Sequence, residues 1–432
     1  LRGFFAAVQQ LNRENLLLAY HDRSDGGLAA TVCEMAFASH CGLELDLGVQ
    51  QAEFPAAFFS EEPGAVIQVR DCDLPRIREV LAMHGISGMA RAVGRPVSGD
   101  RLRLTHLGEV VLDEPLPSLQ RIWTETSHAV QRLRDNPECA DAELDRACDW
   151  SRPGMAAQLS FVPDAGLAPA MISRSVRPAV AILREQGVNG HVEMAAAFDL
   201  AGFDSVDVHM SDLIDGRYDL HSFQGFVACG GFSYGDVLGA GRGWAKSILF
   251  EDGLRESFSS FLARRDRFAL GVCNGCQMLA ALREIIPGSS AWPGFGRNRS
   301  EQFESRLCMV EIGHSPSLFF MGMEGSRIPV ASAHGEGRAE FSCGGAGMKG
   351  AENLIAMRYV DTYGEATEHY PDNPNGSPGG VTGVCNDDGR VTILMPHPER
   401  TLRTVNFSWA PDHWGPGSPW RRMFTNARHW TG

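Results

Sequence analysis

The residues with the clearest chemical potential are Cys273 and two histidines that each precede a glutamate by two positions, in His334-Gly335-Glu336 and His397-Pro398-Glu399. Cys273 sits in GVCNGCQML, residues 271–279. The apolar run FALGV before it suits a buried strand, and CQMLAALREI after it has helical composition. A nucleophile at a one-residue corner between strand and helix is lifted out of the sheet with its side chain presented. The first N–H groups of the helix lie beside it, ready to activate the thiol and hold an oxyanion. Gly271 and Gly275 supply backbone without Cβ on either side of a strained position. An arbitrary cysteine in such text is more often a buried structural one, and the flanking glycines shift the balance toward function.

A cysteine nucleophile needs a base that shares its proton and a group that orients the base. Both His-x-Glu segments follow apolar strand text, and spacing alone does not separate them. His397 is preferred because VTILM is the cleaner buried strand and Pro398 stiffens the corner. For either histidine the bland outcome is a satisfied core or surface residue, since the chain has 14 of them.

Three other patterns weigh less. Cys273 and Cys276 form a C-x-x-C pair, but it lies deep in a long chain rather than after an early strand of a small redox domain, and a structural zinc site would want a second pair. GAGRGWAKS (239–247) imitates a phosphate loop, yet Ala245 stands where that motif requires glycine before Lys246. Its glycines are expected to shape a loop near the active-site rim instead. DRSDGG (22–27) offers Asp22 and Asp25 as hard oxygen ligands, Ser24 as a hydroxyl, and two glycines opening a helix. From spacing alone a plain turn with a helix cap is the better reading.

The elements that must position these groups follow two styles. Residues 1–112 read as an α+β unit, with strands at 16–21, 42–47 and 65–69, helices at 28–40 and 74–85, and a final β segment. Residues 113–175 read as a connector: a helix carrying Leu119, Ile122, Trp123, Val130 and Leu133 on one face, a second short helix, and a Pro-rich stretch. From 176 to 432 strands and helices alternate, which points to a mostly parallel central sheet with ligands at the C-terminal strand ends. That puts Gly230, Gly231 and Cys273 on one rim. The Trp-rich tail reads as an aromatic cap without chemistry of its own.

At 432 residues the chain is too long for a single ordinary core. Its 44% hydrophobic and 21% charged residues are those of a soluble globular protein. A net charge of −14 argues against nucleic acid or an anionic membrane as partner. No stretch reads as a membrane span or an opening signal peptide, and 11 scattered cysteines suggest reduced thiols, so a cytoplasmic location is expected. The chain opens on Leu1 inside helical text, as the C-terminal piece of something longer would.

Taken together, GVCNGCQ, GGFSYGD and MPHPER resemble the class I (triad) glutamine amidotransferases. HGEGR, NPNGSPGGVTGV and NFSWAPDHWGPGSPW narrow this to similarity with the C-terminal part of the large single-chain phosphoribosylformylglycinamidine synthases of purine biosynthesis. HDRSDGGLAATVCEMAF resembles the C-terminal-type domain of aminoimidazole ribonucleotide synthetase. The resemblance spans essentially the whole chain. It implies a Rossmann-like amidotransferase domain behind that α+β domain, with Cys273, His397 and Glu399 as a triad that takes ammonia from L-glutamine through a glutamyl thioester. It also implies an oxyanion site at the N–H groups of Asn274 and Gly231, Mg²⁺ on Asp22, and a nucleotide phosphate (ATP or ADP) on Ser24. The further partners it implies are formylglycinamide ribonucleotide and upstream synthetase domains, within a monomeric full-length protein. Glutaminase activity of the chain alone is expected to be low. The rivals are a cysteine hydrolase sharing the same corner and a nucleotide-binding scaffold without catalysis.

Overall fold

The computed structural model describes residues 1–48, 53–163, 177–342 and 344–432. It divides into two compact units, Leu1–Val130 with Leu144–Ser151, and Gln131–Glu143 with Arg152–Gly432. Much of the Pro-rich end of the expected connector, residues 164–176, lies outside the described residues.

The first unit runs α1 (Arg2–Arg13), β1 (Ala19–Arg23), α2 (Gly27–Ser39), β2 (Gly42–Asp46), α3 (Phe54–Phe59), β3 (Gly64–Gln68) and α4 (Leu74–Met83). Three strands follow where the sequence suggests one β segment: β4 (Gly94–Val97), β5 (Arg101–His106) and β6 (Glu109–Pro115). Strands β4-β2-β5-β6 form one sheet, and β1 pairs with β3 in another. Leu102 and Leu104 of β5 are buried while Arg101 and Arg103 face out, the alternation of a strand with one face on a core. That core takes Leu28, Val32, Ala36 and Phe37 from α2. Ala7 and Leu11 of α1 meet Ile77 and Val80 of α4 in a smaller cluster, each pair at helical spacing.

Two helices come next, α5 (Leu116–Arg134) and α6 (Pro137–Cys148). The apolar face expected of α5 is packed only in part: Leu119 lies against the core and the Trp123 ring stands 5.7 Å from that of Phe37. Ile122, Trp123 and Val130 are more than half exposed and Leu133 is 90% exposed. The side turned to the core carries Leu116 and Gln120 beside Leu119, and the Gln120 side-chain oxygen accepts a hydrogen bond from the Trp150 indole at 2.7 Å.

The second unit alternates as expected at first: β7 (Ala179–Arg184), α7 (His191–Leu200), β8 (Asp204–His209), α8 (Met210–Ile214), β9 (Gly225–Ala228), α9 (Arg242–Leu249), α10 (Asp252–Ala263), β10 (Phe268–Val272) and α11 (Asn274–Ala281). It continues with β11 (Gly294–Gly296), β12 (Glu304–Ile312), β13 (Arg327–His334), β14 (Arg338–Glu340), α12 (Gly345–Gly350), β15 (Ile355–Tyr359), β16 (Val381–Cys385), β17 (Val391–Leu394) and α13 (Arg421–Trp430). Nine strands build one sheet in the order β13-β12-β15-β16-β17-β10-β9-β7-β8. The run β17-β10-β9-β7-β8 is parallel, with Cys273 directly after β10; β13, β12, β15 and β16 extend it antiparallel. Every residue of β10 is buried, as an unbroken apolar run between two parallel neighbours must be. In the tail, Trp420 is fully buried and its indole donates to the Pro329 carbonyl at 2.8 Å, tying the cap to β13. Among the described residues no helix is long and apolar enough to cross a membrane.

Candidate active site

β10 ends at Val272 and α11 begins at Asn274, so Cys273 alone makes the corner. Its backbone has φ 53° and ψ −109°, a conformation costly for a residue with a side chain. Two hydrogen bonds hold it there: its N–H donates to Leu394 O at 2.9 Å, and its carbonyl accepts from Gln277 N at 3.0 Å. The neighbouring glycines are required by close packing. A Cβ on Gly271 would lie 2.7 Å from Gly275 O, and one on Gly275 would lie 1.9 Å from Ala228 O in β9. The helix is thereby pressed onto the strand ends, and its first N–H groups, which have no intrahelical partner, surround the corner. The thiol itself donates to Ala333 O at 3.7 Å.

His397 follows β17, the strand paired with β10, so sheet order brings the two segments together. Its backbone N–H donates to Ala331 O of β13 at 2.8 Å. Its Nδ1 stands 2.6 Å from Glu399 Oε1, with His397 1% and Glu399 2% exposed. Gly230 marks the nearness of His397 to Cys273: a Cβ there would lie 2.7 Å from His397 Cε1 and 3.3 Å from Cys273 Cβ. Burial pulls the imidazole's pKa down, but the Glu399 carboxylate and the Cys273 sulfur outweigh it, and the net shift is upward. Neither His397 Nε2 nor Glu399 Oε2 makes an aligned hydrogen bond, which leaves Nε2 available to a proton from the thiol or a ligand.

His334, the other candidate base, has a different environment. Asn375 Nδ2 lies 3.1 Å from its Nε2 and Ser332 Oγ lies 3.4 Å from its Nδ1. Burial, with His397 nearby, holds its pKa down at about 3, so it is neutral. Glu336 does not pair with it; Glu336 Oε2 accepts the Ala240 N–H at 3.1 Å. Of the two His-x-Glu segments, only the second forms an imidazole–carboxylate contact. The NPNGSPGG segment acts on the first: the amide of Asn375 donates to Gly337 O at 2.8 Å, while Asn298 bonds both His334 O and Gly337 N. These buried amides lock the HGEGR turn.

Asn274 is fully buried, and its side chain ties three elements. Oδ1 accepts from Ser233 N at 3.3 Å, while Nδ2 reaches Asp236 Oδ1 at 3.2 Å and Gln277 Oε1 at 3.3 Å. Gly231 has φ 152°, and a Cβ on it would lie 2.5 Å from Val188 Cα. Its neighbour Gly230 is the residue packed against Cys273 and His397. Cys276 is wholly buried and its pKa is pushed well up by that burial, the setting of an inert core thiol rather than a redox partner. Gly241, from the GAGRGW segment, packs on α11, with a Cβ there 2.5 Å from Met278 N. Asp236, which sequence reasoning did not select, and Glu336, selected there only as a partner for His334, both contact the helix that follows Cys273. For Asp236 the available signal was its place at the end of the GGFSYGD motif.

Residues 177–431 match the family model described as the CobB/CobQ-like glutamine amidotransferase domain. The chain belongs to that amidotransferase family. Residues 2–107 match the C-terminal domain of AIR synthase related proteins, so an α+β domain of that type precedes the amidotransferase domain. Among solved structures, PurLQS from Thermotoga maritima is 22% identical, with 60% of this chain and 100% of that chain covered and a TM-score of 0.45. PurL of T. maritima complexed with FGAR is 18% identical over 27% of this chain and 20% of that chain, with a TM-score of 0.24. E. coli HypE, a hydrogenase maturation protein, is 29% identical over 26% of this chain and 41% of that chain, with a TM-score of 0.23. The chain thus spans about a fifth of the PurL chain.

The domain ahead of the amidotransferase region carries the DRSDGG turn between β1 and α2. Asp22 Oδ1 accepts the Tyr20 hydroxyl at 2.6 Å, and the Ser24 carbonyl accepts Gly27 N at 3.0 Å. Gly26 N–H, at the start of α2, donates to Glu61 Oε1 at 3.0 Å, so a carboxylate of the same domain uses a donor that a phosphate would want. Among the described residues no three His, Cys, Asp or Glu side chains cluster to hold a metal. Asp22 offers one carboxylate with one oxygen already engaged. A magnesium ion there would draw most of its ligands from phosphate or water.

Proposed function

We propose that this chain is the glutaminase part of a glutamine-dependent, ATP-consuming enzyme that converts formylglycinamide ribonucleotide to the amidine in purine synthesis. The observation that carries the reading is the buried His397–Glu399 pair, 2.6 Å across, set against Cys273 at a strained strand-to-helix corner. Membership in the amidotransferase family and the preceding AIR-synthase-type domain support the substrate assignment.

In this reading His397 Nε2 takes the Cys273 proton as sulfur attacks the glutamine side-chain carbon. Glu399 fixes the Nδ1–H tautomer and stabilises the imidazolium that forms. The negative oxygen of the tetrahedral intermediate is met by the N–H groups of Asn274 and Gly231. Collapse breaks the C–N bond; the nitrogen leaves as ammonia with the proton from His397, and a glutamyl thioester remains on Cys273. His397 then deprotonates water, which attacks the thioester, releases glutamate and returns the proton to sulfur. Asp22 and Ser24 belong, on this view, to a Mg²⁺–nucleotide site completed by groups outside this domain.

The test is glutamate release together with labelling by a glutamine-derived diazo-ketone. Cys273→Ser should abolish both while ammonia still serves as nitrogen source in the intact enzyme. Glutamine-dependent turnover that persists in Cys273→Ser sinks the assignment. A Cys273 that escapes labelling, in a protein that releases no glutamate, would favour a cysteine hydrolase of other specificity.

A further inference from the structure

The loop that leaves β9 and passes the Cys273 corner is clamped by residues outside the triad. Residues 186–190, which follow β7, lie antiparallel to residues 230–234 in a bridge between Val188 and Gly231. Gly230 O accepts the N–H groups of Asn189 at 3.1 Å and Gly190 at 3.0 Å. Phe232 N–H donates to Gly187 O at 3.0 Å, and Tyr234 N–H to Gln186 O at 2.9 Å. The two backbones come too close for a side chain on Gly187, which has φ 92° and whose Cβ would lie 2.2 Å from Phe232 O. The Gly230–Gly231 peptide, the one packed against His397 and Cys273, is trans. Two donors on its carbonyl therefore turn its N–H to the opposite side.

One buried carboxylate ties the clamp down. Glu185, directly after β7, is 6% exposed. Its Oε1 accepts the Gln186 N–H at 2.8 Å, and His209 Nε2, at the end of β8, lies 3.5 Å from the same oxygen. His209 Nδ1 accepts the Ser211 N–H at 3.2 Å, so the proton of the neutral ring is on Nε2 and faces Glu185. The Tyr234 hydroxyl donates to Glu185, and burial, followed by that carboxylate, raises the phenol's pKa. The Ser247 hydroxyl of α9 lies 3.1 Å from the Tyr234 hydroxyl. Tyr234 needs this hold, since its φ 54° and ψ 30° are a left-handed conformation that costs a residue with a side chain about 1 kcal/mol. Neither Glu185 nor Tyr234 takes part in proton transfer or thioester formation, and a carboxylate kept out of water is retained at a cost.

We propose that Glu185 is a positioning residue for amide hydrolysis, acting through Tyr234 and residues 186–190 to aim the Gly231 N–H at the oxygen that becomes negative, with His209 holding Glu185 in turn. The role rests on the glutaminase reading and extends it from the groups that react to those that hold an oxyanion donor in place. A donor fixed before the substrate arrives stabilises the developing charge without rearranging at the moment of reaction.

The experiment compares two rates in the intact protein. Glutamate release from L-glutamine needs the oxyanion donor; alkylation of Cys273 by iodoacetamide, read on the Cys273 peptide by mass spectrometry, needs only the thiolate. Tyr234→Phe, which removes one hydroxyl from a ring that is 38% exposed, should lower kcat by at least about fivefold. Glu185→Ala should lower it by roughly 10–100-fold, and in both variants KM for glutamine should stay within about threefold. Both should alkylate Cys273 at the wild-type rate and with the wild-type pH dependence. Adding Tyr234→Phe to Glu185→Ala should cost less than about twofold more, because the two residues act as one unit. Full kcat in Tyr234→Phe, an equal fall in alkylation and hydrolysis, or losses that multiply in the double variant overturn the proposal. If Glu185→Ala does not fold, Tyr234→Phe decides by the same two rates. A wild type that releases no glutamate overturns the glutaminase reading and this inference with it; normal wild-type turnover with unaffected variants overturns the inference alone.

Discussion

His397 Nδ1 and Glu399 Oε1 lie 2.6 Å apart with both side chains almost fully removed from solvent. A carboxylate in that position is stable only while the imidazole offers it a proton, and an imidazole so partnered is a stronger base than burial alone would leave. The pair is made by a three-residue turn, so its geometry depends little on the rest of the chain. Its usefulness depends on Cys273 being next to it.

Glu399→Gln keeps the shape and removes the charge. The expected result is a fall in kcat for glutamine hydrolysis of about 10²–10⁴-fold with a small change in KM, since orientation and imidazolium stabilisation act in the transition state. Steady-state glutamate release checks this; an unchanged kcat would place the base elsewhere.

The same substitution carries a pH signature in stability. The folded pKa of His397 lies above its ordinary value near 6.5. The pair's contribution is therefore fully present below that ordinary value and is lost as pH rises through the raised one. Urea unfolding should find Glu399→Gln less stable than wild type by about 1–3 kcal/mol near pH 6, with the gap narrowing into the alkaline range.

Gly230→Ala tests the contact between His397 and Cys273. The added methyl would sit 2.7 Å from His397 Cε1 and 3.3 Å from Cys273 Cβ. Glutaminase activity should fall by at least about tenfold, because small displacements of reacting groups are expensive, while the fold survives. Circular dichroism with an activity assay separates these; full activity would mean that the two residues can part freely.

Cys276→Ala should leave glutamine hydrolysis within about twofold and lower stability by about 1–2 kcal/mol, the loss of a small buried group. Thermal unfolding and an activity assay check it. Loss of activity that tracks thiol oxidation would revive the redox reading of the C-x-x-C pair.

Asn375→Ala removes the amide that donates to Gly337 O and faces His334 Nε2, leaving buried polar atoms unpaired. The expected cost is about 2–4 kcal/mol of stability, and KM for glutamine should rise as the HGEGR turn loosens.

What could be read along the chain was what neighbouring residues decide. The Cys273 corner follows from an apolar run, two glycines and a helical segment within a few positions, and the His397–Glu399 contact spans three residues. The parallel run around β10 was legible because alternating strands and helices have few ways to pack. The exposed side of α5 was not, because helical periodicity marks an apolar stripe without saying what covers it. The three strands at 94–115 were compressed into one segment because tight turns separate them.

The sequence by itself thus determined the Cys273 corner and offered two candidate bases that spacing alone does not separate, with His397 preferred for its strand and its proline. Tertiary structure made the difference between them. Pairing of β17 with β10, and the hydrogen bond from His397 to β13, carry one imidazole to the thiol; buried amides from Asn298 and Asn375 immobilise the other. Contacts between residues distant in sequence depend on strand order and on which polar groups find partners in the core. No local pattern encodes either, so the position of His334, Glu336 and Asp236 around Cys273 emerges only when the sheet is assembled.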